Sequence, residues 1–101
     1  MNKELSTQTT AAAVPALAPQ FDLNNPQHLA MRKLMADVYA RHANALEMGL
    51  PLAARTYQGM GIGLERVARA VLDDAILSTI SHSLHKSMFD LENFYQARAT
   101  A

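Results

Sequence analysis

The stretch Ala45-Leu46-Glu47-Met48-Gly49-Leu50-Pro51-Leu52-Ala53 decides the fold. Gly49 is a fitting helix stop, because glycine enters the left-handed region at a helix C-terminus without steric cost. Pro51, two residues on, suits the first position of a new helix, where its missing N–H leaves nothing unpaired. So short a connection makes the flanking helices antiparallel neighbours. The stretch therefore reads as the turn of a helical hairpin.

Upstream, Asn25-Pro26 supplies a capping side chain followed by a proline at the first helical position. Between that start and Gly49, Met31, Leu34, Met35, Val38, Tyr39, Ala45 and Leu46 recur at three- and four-residue steps, with Lys33, Asp37, Arg41 and Asn44 opposite. This is an amphipathic helix. His42 falls on its apolar face in register with Val38 and Leu46, and reads as a hydrogen-bonded core residue and not as a catalyst.

Downstream, Ala53, Tyr57, Met60, Leu64, Val67, Ala68, Val71 and Ala75 keep one stripe in register through Gly59-Met60-Gly61-Ile62-Gly63. Beyond it the stripe changes sides. Leu77, Ile80, Leu84, Met88, Leu91 and Tyr95 share a face nearly opposite to that of Leu64 and Val71. The Ser/Thr-rich region from Ser78 to Ser87 is the expected place for a bend or a break, with Ser87 and Asp90 as the cap of a separate last helix. The fold class is all-α: a hairpin of two main amphipathic helices, with a bend or a third, C-terminal helix.

Residues 1–24 read as a flexible N-terminal arm, polar and then alanine-rich with Pro15 and Pro19, ahead of a single helical domain over 25–99. The segment has no uninterrupted apolar core of the secretory type, and no stretch approaches the length of a membrane span. A cytoplasmic place, or export without a classical signal peptide, is the expectation. Cysteine is absent, which removes disulfide and thiol chemistry. Nine basic residues balance nine acidic ones, so bulk charge gives no reason to expect nucleic acid or an anionic membrane as partner.

No constellation points to a reaction, a cofactor or a metal. Gly59 to Gly63 lacks the ending of a phosphate-binding loop and follows no strand. Gly59 and Gly63, four apart, instead share one helical face where another backbone can approach closely. His82 and His85 have a spacing that presents two imidazoles to one ion, yet neither His42 nor an aspartate is an assured third ligand. Both are expected at or beside a contact surface, together with Phe89. Asp73 and Asp74, adjacent on a helix, diverge and read as solvated. Arg55, Arg66 and Arg69 make at most a minimal phosphate-contacting stripe, interrupted by Glu65 and Asp73.

A chain of this size that devotes its first residues to an arm is marginal alone. It is expected to act without catalysis, by associating with itself as a homo-oligomer or with another protein. The expected interface comprises Gly59, Gly63, Leu77, Ile80, His82, Leu84, His85, Met88, Phe89, Leu91 and Tyr95. A module docking on a larger protein as inhibitor or regulator is the alternative, and a compact DNA-binding regulator the third reading.

Overall fold

The computed structural model describes residues 19–100, which form three helices, each packed on the other two. Helix α1 runs Pro26–Glu47 and α2 runs Pro51–Arg66, continuing as a π-helical segment over Val67–Val71; α3 runs Ala75–Thr100. The hairpin and the third helix are both present. Among the described residues no helix is long and apolar enough to cross a membrane. Most of the expected arm lies outside the described residues. Its last part is tied to the bundle: Phe21 packs on the core, and the Asp22 amide donates to His28 Nδ1 at 2.8 Å.

The hairpin is built by local chemistry. Asn25 Oδ1 accepts from the Gln27 amide at 2.8 Å and the His28 amide at 3.4 Å, satisfying free donors at the start of α1. At the other end Gly49 takes φ +70°, and the Leu50 amide closes on the Ala45 carbonyl at 2.9 Å.

The second break falls earlier than Ser78 to Ser87. Asp73 takes φ +50°, a region aspartate tolerates better than most residues, and Asp74 caps α3 by accepting from the Leu77 amide at 3.0 Å. Ser78 to Ser87 lie inside α3, and Ser87 and Asp90 cap nothing there. Two of the hydroxyls there bond back along the helix, Ser81 to the Leu77 carbonyl at 2.6 Å and Thr79 to that of Ala75 at 2.9 Å. Their bonding capacity is used without breaking the ladder.

The apolar core gathers Met31 and Met35 of α1, Ala68, and Leu77 of α3, with Phe21, Leu64, Leu72, Ile80 and Leu84 packed around them. On α1 the buried line is His28, Met31, Met35, Val38, His42 and Ala45. Leu34, expected inside, is half exposed, and Tyr39 is also exposed. The larger departure is on α2. Its buried line is Ala54, Gln58, Gly61, Glu65 and, in the π segment, Ala68, while Met60, Val67 and Val71 of the expected core stripe are exposed. Alpha2 lies against both other helices, so the line it buries is the one where they approach most closely. Along it Ala54, Gly61 and Ala68 alternate with the polar Gln58 and Glu65 where the sequence pattern places large apolar side chains.

Candidate functional site

At about 100° per residue, the side of α2 opposite that buried line carries Leu52, Thr56, Gly59, Met60, Gly63 and Val67. None of the six is charged, and the exposed Arg66 borders them, as far from the centre of this side as Met60. Leu52 is 77% exposed and Met60 49%, and Val71 just beyond them is 73% exposed. A Cβ added at Gly59 or at Gly63 would meet nothing within 4 Å, so no other part of the described chain covers this face. The close approach within the chain is at Gly61, where an added Cβ would lie 3.0 Å from Met88 Sδ and 3.5 Å from His85 Cβ.

Two histidines of α1 are buried and paired. The His28 ring accepts from the Asp22 amide through Nδ1, which assigns the proton to Nε2, and Nε2–H donates to Asp74 Oδ2 at 2.8 Å. Asp74, read from sequence as solvated, is thus both the cap of α3 and the partner of a buried ring. The Leu77 amide, and after it the His28 ring, hold its carboxyl below the ordinary aspartate range against the opposing effect of burial. His42 is fully buried, as its register implies, and its Nε2 lies 2.8 Å from Glu92 Oε2. Near the hairpin turn the Tyr95 hydroxyl donates to Glu47 Oε1 at 2.5 Å, and that carboxylate holds the phenol above its usual range.

The third polar cluster joins α2 to α3. Glu65 Oε1 lies 3.0 Å from His85 Nδ1 and 3.4 Å from His82 Nδ1, while Arg69 Nη1 donates to the other oxygen at 2.9 Å. The His82 and His85 rings meet edge to face at 5.0 Å, and His85 meets Phe89 in the same manner at 6.1 Å. Glu65 and His85 are largely shielded, whereas His82 is 60% exposed.

The expected interface residues therefore separate into three groups. Gly59 and Gly63 stand on the bare outer face of α2. Leu77 and Met88 are fully buried, and Ile80, Leu84, Leu91 and Tyr95 are half-buried, because α1 of the same chain packs against α3. That face of α3 does not depend on another chain for its cover. His82, His85 and Phe89 lie on the flank of α3 with Glu65 opposite the two histidines. Arg69 joins that cluster through its pairing with Glu65. Sequence reasoning passed over Glu65, which stands 17 residues before His82 with no local pattern to tie the two.

Comparison with known protein families, with curated proteins and with solved structures finds no match.

Proposed function

We propose that the chain is a non-enzymatic helical protein that works by self-association, with the outer face of α2 as its contact surface. The observation that carries this reading is the uncharged run Leu52, Thr56, Gly59, Met60, Gly63 and Val67, uncovered by the rest of the described chain. Fully burying a leucine, valine or methionine side chain contributes about 1.5–3 kcal/mol, so leaving several exposed along one helix forgoes a large part of the available stabilisation. Glycines four apart at the centre of the run let a second backbone approach closely. With Arg66 alone at its edge, the run needs little complementary charge, and an identical copy meets that condition.

The test is sedimentation of the purified chain over a wide range of concentration. A concentration-dependent dimer or larger assembly is expected, and Met60→Glu should shift it to monomer while leaving the helical circular dichroism intact, because Met60 is half exposed within the chain. A folded monomer at every concentration refutes the reading, as does an assembly indifferent to both Met60→Glu and Gly63→Glu.

A further inference from the structure

We propose that Glu65, His82 and His85 form a divalent-cation site of the zinc type at the seam between α2 and α3. The pair His82 and His85 lacks an assured third ligand in the sequence, and the fold provides one. One donor atom from each of the three side chains lies within 4.8 Å of the other two. Glu65 Oε1 is 3.0 Å from His85 Nδ1 and 3.4 Å from His82 Nδ1, close to the edge of about 3.3 Å that a tetrahedron with zinc–ligand bonds of ~2.0–2.1 Å requires. Because one donor atom of each residue stands within 4.8 Å of the others, only a small adjustment of side chains brings the three to coordination distance.

A second observation separates this from an ordinary hydrogen-bonded cluster. His85 Nδ1 is buried and, although close to the carboxylate, is out of line for a hydrogen bond and finds no partner among the described residues. A buried polar atom so placed carries a desolvation cost that a coordinated cation removes. The surroundings suit that role. Arg69 occupies Glu65 Oε2 and leaves Oε1 directed at the two rings, as an outer partner orients a ligating carboxylate. Gly61, one turn before Glu65, lets α2 and α3 close to the distance at which His85 reaches it. His82 is the exposed member, so the remaining coordination position opens to solvent. Two imidazole nitrogens and one carboxylate oxygen form a borderline set that favours zinc over calcium or magnesium, which prefer oxygen alone.

The test uses the full chain stripped with a chelator, then titrated with zinc by calorimetry and with cobalt(II) by visible absorption at neutral pH. One ion per chain, a tetrahedral cobalt spectrum and a zinc-dependent rise in Tm are expected. His82→Ala, at an exposed side chain whose loss does not threaten the fold, should weaken zinc at least tenfold, and Glu65→Gln should abolish stoichiometric binding. If Glu65→Gln fails to fold, His82→Ala with the wild-type cobalt spectrum still decides the matter. Absence of stoichiometric binding to the wild type overturns the proposal, and so does binding that His82→Ala and His85→Ala leave unchanged in folded protein.

Discussion

Replacing the three central glycines of α2 one at a time by alanine tests the orientation of the helix. Alanine is favoured over glycine in a helix interior by about 0.8–1 kcal/mol, and none of the three glycines has the positive φ that would make a side chain strained. At Gly59 and Gly63 the added methyl meets open space, so the full gain should be realised. For a domain of this size that corresponds to a rise in Tm of roughly 4–8 °C for each replacement. At Gly61 the same gain is opposed by a contact of 3.0 Å with Met88 Sδ, and Met88 is fully buried, so its thioether has no solvent to move into. Overpacking of this kind costs about 1–3 kcal/mol, which cancels or reverses the propensity gain. Thermal unfolding followed by circular dichroism at low protein concentration measures the fold without the contribution of association. A fall in Tm for Gly59→Ala or Gly63→Ala, or a rise for Gly61→Ala equal to theirs, would refute the assignment of inner and outer faces. At high concentration, Gly63→Ala should weaken the proposed assembly even as it strengthens the single chain.

Glu92→Leu leaves the fully buried His42 ring without an acceptor for Nε2–H and should lower stability by about 1–3 kcal/mol in urea denaturation; Glu92→Gln, which keeps a carbonyl acceptor, should cost less. Asp74 gives a pH dependence of defined sign. Its carboxyl is held below the ordinary range in the folded chain, so its contribution is complete above the unfolded aspartate value of about 3.9 and is lost as pH falls through the lower, folded value. Asp74→Asn should therefore be less stable than the wild type at neutral pH and converge with it in strong acid, and parallel curves across that range would exclude the carboxylate from the effect.

The parts legible in the sequence are those with local causes. Asn25-Pro26, Gly49 and Pro51 act on their own neighbours through capping amides and fixed φ, and α1 and α2 start or stop where they direct. His42 was readable because Val38 and Leu46 bracket it in register. Asp74 had a local signal that the adjacent Asp73 obscured: an aspartate directly before Ala75-Ile76-Leu77 is a helix start in its own right. The orientation of α2 was missed because periodicity locates an apolar stripe without saying what it faces. The better guide was Ala54, Gly61 and Ala68, small residues at every seventh position, which mark the line where neighbouring helices come closest. Glu65 had no local signal, since only the turn at Leu72 to Asp74 sets α2 against α3 and brings the carboxylate to the two imidazoles.

Helix α2 thus inverts the usual arrangement, holding Gln58 and Glu65 toward its neighbours while Leu52, Met60 and Val67 face outward. A shielded carboxylate is costly unless its lone pairs are occupied, and the partners of Glu65 occupy them unevenly. Arg69 is itself 62% exposed, so its charge is screened and its pairing with Glu65 contributes little. His85 approaches without a well-aligned hydrogen bond, and His82 stands at 3.4 Å. On the α1 side the ring nitrogens of His28 each have a partner in line, His42 is paired through Nε2 but not through its buried Nδ1, and the hairpin turn is fixed by its caps. The seam between α2 and α3 is therefore a part of the bundle whose stability is open to change by a bound cation. The proposed contact surface lies on the opposite side of the same helix. An ion that tightened the seam would hold α2 in place and present its outer face in a fixed position, so that cation binding and self-association, though tested separately, would act through one element.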